Sequence, residues 1–178
     1  MSAKVTPIGR ASYPQVFQAK SFNGGAAKFL ITLLFDKTAD LTEMKRVADE
    51  AAKEKFGKNL PEDFKSPFRD GDKKNRNGDH PEYAGKVFVT FKSNENRKPS
   101  VVDGKKQPIN QDDPDGFYPG CQARVAYSCY AYDTKGNQGV AFGLQHAQKT
   151  SDDTRFDGGV SAVDAFDAIE SDTEESFF

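Results

Sequence analysis

The chain has 178 residues, enough to bury the core of one ordinary domain. No apolar run approaches the roughly 18 residues of a membrane-spanning helix, and the N-terminus lacks an apolar signal-peptide region, so we expect an intracellular protein without a membrane anchor. The net charge of −2 is unevenly distributed: residues 1–150 carry 24 Lys and Arg against 18 Asp and Glu, and residues 151–178 carry one Arg against nine acids. A basic body with an acidic tail indicates a polyanionic partner.

The first predicted elements are two strands, "SYPQVFQAKS" and "AKFLITLLF". They are joined by Asn23, Gly24 and Gly25, residues that accept positive φ and therefore predict a hairpin turn. In the second strand both alternating sets of positions are largely apolar. This pattern predicts a strand that is covered on both faces, with Phe29 in the core.

One amphipathic helix is predicted from the stretch "DLTEMKRVADEAAKEKFG". Asp40 and Glu43 have the spacing of a capping box, and Gly57 is a natural helix stop. Apolar residues follow one stripe of the helix, whereas mixed charges cover the other side at spacings that allow ion pairs. We interpret the charged side as a solvated face.

A polar loop follows over residues 66–83, and then comes a strand, "GKVFVTFKSN". A short hairpin, "RKPSVVDGKKQPI", precedes a regular pair of strands, "CQARVAYSCYAY" and "GVAFGLQHAQK". Five or more strands, many tight turns and one helix predict a mainly β fold, as a small antiparallel barrel or sandwich. We expect residues 1–150 to form this domain.

Residues 151–178 are predicted to form an acidic C-terminal tail. Val160, Val163, Phe166 and Ile169 have helical spacing, which predicts a short docked helix near 160–169. The last residues, "ESDTEESFF", are acidic and uncapped, so we expect them to be disordered.

The sequence offers little for catalysis. It has two histidines and none of the common metal-binding, phosphate-binding or nucleophile motifs, so we expect no cofactor. Asp112, Asp113 and Asp115 in "QDDPDG" could bind Mg²⁺ as a nuclease requires. Because aspartates next to Pro and Gly are also typical of turns, the nuclease remains an alternative hypothesis.

Binding of a single nucleic-acid strand needs cations that contact phosphates and aromatic rings on which bases stack. Alternation places Lys86, Phe88 and Lys92 on one side of their strand, opposite the expected core residue Phe91. The same rule places Arg124 on one side of a later strand with two tyrosines. The candidate binding residues are Phe68, Arg69, Lys73, Lys74, Arg76, Lys86, Phe88, Lys92, Arg97, Lys98, Arg124, Tyr130 and Tyr132.

The tail suits such a protein in two ways. Tethered to a basic groove, its acids compete locally for the phosphate site, and two terminal phenylalanines form an apolar anchor for a partner protein. The candidate partner-binding residues are Asp172, Glu174, Glu175, Phe177 and Phe178. A third hypothesis is an interaction module whose aromatic residues all lie in the core and whose tail only aids solubility.

Several stretches together resemble a family of phage-encoded single-stranded DNA-binding proteins. They are "FDKTADLTEMKRVADEAAKEKFG", "PFRDGDKKN", "EYAGKVFVTFKSN", "DGFYPGCQARVAYSCYAY", "KGNQGVAFGLQHAQK" and the acidic end in Phe. The resemblance implies an oligonucleotide-binding (OB) barrel that coats single-stranded DNA during phage replication and recombination, in the cytoplasm of the infected bacterium. It also implies that the tail recruits replication or recombination proteins, and self-association on DNA is compatible with it. The tail is similar to that of bacterial single-stranded DNA-binding proteins, although their Pro-Phe ending is absent here.

Overall fold

The computed structural model describes residues 4–21, 24–134, 136–157, 166 and 169. The described strands are β1 (Lys4–Val5), β2 (Gly9–Lys20), β3 (Lys28–Asp36), β4 (Arg69–Asp70), β5 (Lys86–Asn94), β6 (Ser100–Val102), β7 (Gln122–Thr134) and β8 (Asn137–Ser151). The described helices are α1 (Thr42–Phe56), α2 (Gly71–Lys74) and a 3-10 turn (Pro81–Tyr83). None of these helices combines the length and the apolar character needed to cross a membrane.

Five strands close into a barrel in the order β7, β2, β3, β5, β8 and back to β7. The short strands β1, β4 and β6 extend this wall from β7, β5 and β8. Neighbours in the barrel are antiparallel except β5 and β8, which run parallel. The prediction of a mainly β, OB-like barrel with one amphipathic helix is confirmed.

Strand alternation decides what lies inside the barrel. Ile31 and Leu33 of β3 and Phe91 of β5 are fully buried, and Phe29 is nearly so, as predicted. The Phe91 ring contacts the Phe142 ring at a centroid distance of 5.7 Å. Large aromatic side chains from β5, β7 and β8 therefore fill the interior.

Helix α1 packs against β7 and β8 and buries an apolar stripe that includes Met44 and Val47. The helix begins at Thr42, two residues after the predicted start, and an Asp40 carboxylate oxygen accepts a hydrogen bond from the Thr42 amide at 3.1 Å. It ends where predicted, since Gly57 adopts a φ of 71°.

The polar loop predicted over residues 66–83 belongs to a segment, 66–85, that folds onto the outside of the barrel through β4, α2 and the 3-10 turn. Tyr83, Leu34 and Phe88 form a second apolar cluster there, separate from the barrel core. The Tyr83 hydroxyl shares a 2.8 Å hydrogen bond with Ser12, and burial raises the pKa of Tyr83 to about 12. We call residues 66–85 the α2 segment.

After β8, residues 152–157 continue along the barrel and are held by Arg10. Its Nε donates to the Gly120 carbonyl at 2.7 Å, and its Nη2 donates to the Thr154 carbonyl at 2.6 Å. The guanidinium also lies 4.5 Å from the centroid of the Phe156 ring. The helix predicted near 160–169 and the tail at 170–178 lie outside the described residues, apart from the exposed Phe166 and Ile169.

Candidate nucleic-acid interface

The outward side of the β7–β8 pair, which we call the strand face, carries three of the predicted residues. Arg124 and Tyr130 are exposed and Tyr132 is half-buried, whereas the intervening Val125 and Tyr127 point into the core. Alternation along β7 therefore holds as predicted, and it leaves a cation and two aromatic rings on one face.

The part of β8 opposite these tyrosines has almost no side chains. Tyr132 is paired with Gly139, Tyr130 with Ala141, and Ser128 with Gly143. A Cβ on Gly139 would lie 2.6 Å from the Tyr132 hydroxyl, and a Cβ on Gly143 would clash with the Ser128 hydroxyl. Gly139 and Gly143 are both buried, because the Tyr132 ring and the Ser128 hydroxyl pack directly on the β8 backbone. Ala141 is the half-buried β8 residue opposite the exposed Tyr130.

Lys92 of β5 lies across β8 from Ser128 of β7. It is paired with Gly143 in the parallel β5–β8 contact, and Gly143 is paired with Ser128. Lys92 is exposed, as are Arg97 and Lys98 in the turn that leads to β6. This row across three strands therefore has an exposed cation at its β5 end, and Tyr130 follows two residues after Ser128 at its β7 end.

The cation-rich end of the strand face has a shallow cavity of about 250 Å³. Val5, Val102 and Ala126 contribute apolar surface to it, and Arg124 and Lys106 contribute positive charge. The Arg124 Nε donates to Gln148 at 2.7 Å, which fixes the orientation of the guanidinium along β8. This cavity has the mixture of apolar and cationic groups that suits a nucleotide.

The predicted cations are mostly free of carboxylate partners. Among the described residues, only Lys86 of the nine forms an ion pair, with Asp36. The other eight have no such partner within the part of the chain that the structure describes: Arg69, Lys73, Lys74, Arg76, Lys92, Arg97, Lys98 and Arg124. These positive charges are therefore available to phosphates.

The α2 segment presents a second group of cations. Asp70 caps α2 by accepting from the Asp72 amide at 2.9 Å, and both aspartates form ion pairs with Lys37. The hydrogen bond from Lys37 is the largest cause of the lowered pKa of Asp72. Because Lys37 binds these carboxylates, Lys73 and Lys74 remain exposed without a local counterion.

Two predicted aromatic residues do not face solvent. Phe88 is only 5% exposed and contacts Tyr83 at a centroid distance of 5.1 Å, so the prediction of an exposed ring was wrong. The reason is that the α2 segment covers this part of β5, and the Arg69 guanidinium lies 5.2 Å from the Phe88 ring. Phe68 is half-buried and packs edge-on against Phe142 at 5.7 Å.

Sequence reasoning missed one exposed aromatic residue, Tyr13, which is 48% exposed. The sequence pattern predicts a regular strand at this position, but Tyr13 lies at an irregularity in β2 next to Pro14. A proline within a strand pattern signals a bulge, and this signal could have identified the position.

The three aspartates of the nuclease hypothesis form a turn. Asp113 accepts from the Asp115 amide at 2.9 Å, and the Asp115 carboxylate lies 3.8 Å from Arg155. The Asp112 amide donates to the Asn110 side chain at 2.9 Å. In the described part of the chain, no group of His, Cys, Asp or Glu has the arrangement of a metal site.

Solved structures with a similar fold come from bacteriophages. The single-stranded DNA-binding protein of bacteriophage Enc34 in complex with ssDNA has a TM-score of 0.70 at 21% identity, over 85% of this chain and 88% of that chain. Another structure of the Enc34 protein gives 0.67 at 22%, over 92% and 89%. The gp2.5 single-stranded DNA-binding protein of bacteriophage T7 gives 0.55 at 19%, over 90% and 98%. These likenesses show a shared fold.

Curated proteins provide no significant match. The family model described as "Enterobacter phage Enc34, ssDNA-binding protein" matches residues 3–178, nearly the whole chain. That family is non-catalytic, so the nuclease hypothesis based on Asp112, Asp113 and Asp115 is wrong. The chain belongs to the family of phage single-stranded DNA-binding proteins that includes the Enc34 protein.

Proposed function

We propose that the chain binds single-stranded DNA with little sequence preference during phage DNA replication or recombination, in the cytoplasm of the infected host. The observation that carries this proposal is the strand face. Tyr130 is 49% exposed opposite the small residue Ala141, and Lys92 and Arg124 lie on the same wall of the barrel. An exposed aromatic ring beside unpaired cations is the combination that holds a single strand.

Each part of the strand face suits a different part of a nucleotide. Every base has an apolar π-face, so stacking on Tyr130 tolerates any sequence. Phosphates are attracted to the cations that lack carboxylate partners. Little sequence preference follows, because both interactions are independent of the pattern of donors and acceptors on the base edges.

The exposure of Tyr130 also favours binding over the third hypothesis. In an interaction module whose aromatic residues all belong to the core, this ring would be buried. Instead it lies outside both apolar clusters of the described residues.

We assign a regulatory role to the acidic tail as part of the same proposal. Phe156, near the root of the tail, packs against the cluster that contains Phe88, and Arg69 lies over Phe88. The tail therefore begins near the cations of the α2 segment. Because these acids are covalently tethered to the barrel, their effective concentration at the cations is on the order of mM, so the tail competes with DNA for the cations.

The end of the tail has a separate role in this proposal. Displacement by DNA would release Phe177 and Phe178, whose rings and terminal carboxylate suit an apolar pocket rimmed by cations on a replication or recombination protein. Residues 1–150 then act as the binding domain and residues 151–178 as the regulated docking tail.

Titration of a labelled oligothymidine in the presence of Mg²⁺ tests the proposal. We expect binding without cleavage, and we expect Tyr130→Ala to lower the affinity while the free energy of unfolding stays near that of the wild type. Leu60→Ala is a matched control, because Leu60 is 52% exposed beside α1 and away from the strand face. Absence of binding at low salt, or equal affinities of all three proteins, would contradict the proposal.

A further inference from the structure

Tyr13 has a backbone conformation that side-chain-bearing residues rarely adopt. Its φ is 48°, and among the described residues only one other non-glycine residue, Lys106, has a positive φ. The pairing of β2 with β3 is interrupted between Ser12 and Gln15, so Tyr13 and Pro14 form a bulge. The bulge turns Tyr13 out of the regular alternation of β2.

Packing of the ring into a core does not compensate this strained conformation. The side chain is 48% exposed and belongs to neither apolar cluster of the described residues. Strain that is retained without burial is typical of a residue positioned for function.

The ring nevertheless has a defined neighbour. The Tyr13 hydroxyl lies 3.4 Å from Nδ1 of His80, whose backbone amide donates to the Asn75 side chain at 2.9 Å. The His80 ring also contacts the buried Tyr83 ring at 5.7 Å. Tyr13 is therefore held against a fixed part of the α2 segment.

Charges of both signs occur around this contact. Asn75, whose side chain accepts from the His80 amide, lies between Lys74 and Arg76 in the chain, and both cations are exposed without a carboxylate partner in the described residues. The Glu82 carboxylate lies 4.0 Å from the same His80 Nδ1. The exposed Tyr13 ring therefore contacts the cation-bearing α2 segment, remote in sequence from β7 and β8.

We propose that Tyr13 is a stacking platform for a base of single-stranded DNA, and that it extends the interface from the strand face to the α2 segment. This inference rests on the proposed function. The bulge presents the ring to the base, while Lys74 and Arg76 bind the adjoining phosphates.

Tyr13→Gly separates stacking from stability. Glycine accepts a positive φ, so the variant should fold at least as stably as the wild type, by chemical denaturation followed by circular dichroism. Its affinity for a labelled oligothymidine should fall about 5- to 100-fold. Tyr13→Phe, which keeps the ring and loses only the hydroxyl contact, should bind nearly as the wild type does.

A fluorescence experiment tests the contact directly, because the chain has no tryptophan. In Tyr13→Trp the single indole should be quenched when oligothymidine binds, and quenching should be lost at high salt, which releases the strand. Leu60→Trp should show no comparable quenching.

The outcomes separate this inference from the proposed function. If the wild type binds oligothymidine but Tyr13→Gly binds equally well, or the Tyr13→Trp signal does not change, Tyr13 is not a stacking platform and the strand-face proposal stands. If the wild type does not bind oligothymidine, both proposals fail.

Discussion

The strand face and the part of β5 under the α2 segment have the same sequence pattern, aromatic residues near cations. They differ in whether their aromatic rings are buried. On the strand face nothing among the described residues covers the outward side of β7, so Tyr130 remains half exposed. At the start of β5 the α2 segment folds over the strand, so Phe88 is buried under Tyr83. Strand alternation determines which residues share a face, but a distant segment determines whether that face meets solvent.

The two regions also differ in how their charges are arranged. The α2 segment contains Asp70 and Asp72, and its cations remain available because Lys37 pairs with both carboxylates. Arg124 on the strand face and Lys92 on the adjoining β5 have no ion pair among the described residues and need no such compensation. Both regions can attract phosphates, but only the α2 segment depends on a third residue to do so.

Salt should have the largest effect on binding. With about three to seven phosphate contacts, log K should fall against log salt with a slope of about −2 to −5, or roughly 10²- to 10⁵-fold for a tenfold rise in salt. The double variants Lys92→Ala/Arg124→Ala and Lys73→Ala/Lys74→Ala should each reduce the slope by about 1.4. The slopes can be measured by fluorescence anisotropy of labelled oligothymidine.

These paired variants also assign the path of the bound DNA. A reduced slope in only Lys92→Ala/Arg124→Ala would restrict the DNA to the wall formed by β5, β7 and β8. A slope near zero in the wild type would contradict the electrostatic part of the proposal.

Replacement of Phe88 and of Tyr130 by alanine should separate effects on protein stability from effects on DNA binding. Phe88→Ala should lower the free energy of unfolding by about 3–5 kcal/mol, because it empties a buried site. Tyr130→Ala should alter stability by less than about 1 kcal/mol, since the ring is half exposed. Urea unfolding followed by circular dichroism measures both. A stable Phe88→Ala protein with weakened DNA binding would show that the burial of Phe88 is misassigned.

The β8 position opposite Tyr130 can be tested independently of the rings. Tyr130→Ala and Tyr132→Ala should each weaken oligothymidine binding by about 1–3 kcal/mol through lost stacking. Ala141→Leu enlarges the side chain opposite Tyr130 and should weaken binding with both tyrosines intact. Unchanged affinity in Ala141→Leu would mean that the DNA does not pass over this part of β8.

Removal of the tail should have the smallest effect on affinity. Deletion of residues 170–178 removes four acids and should tighten DNA binding, most clearly at low salt, because the Debye length of about 8 Å at physiological salt limits the competition. Deletion of only Phe177 and Phe178 should leave DNA affinity nearly unchanged and abolish capture of a replication protein in a pull-down. If the longer deletion leaves affinity unchanged at low salt, the competition mechanism is wrong.

The candidate site could be predicted in part. Alternation along β7 correctly placed Arg124 and Tyr130 outward, because a strand fixes the relative orientation of its own side chains. The same rule placed Phe88 opposite Phe91, and this is also correct, but both rings are buried in different clusters. Tyr13 was missed because its orientation depends on a bulge rather than on alternation.

By itself the sequence determined the strands of the barrel, the extent of α1 up to Gly57, and the charge asymmetry between body and tail. These features depend on local propensity and on composition. The tertiary structure alone decided that β8 joins β5 in parallel, that Tyr132 and Ser128 pack over Gly139 and Gly143, and that the α2 segment covers Phe88. These outcomes depend on contacts between residues far apart in the chain, which no local pattern encodes.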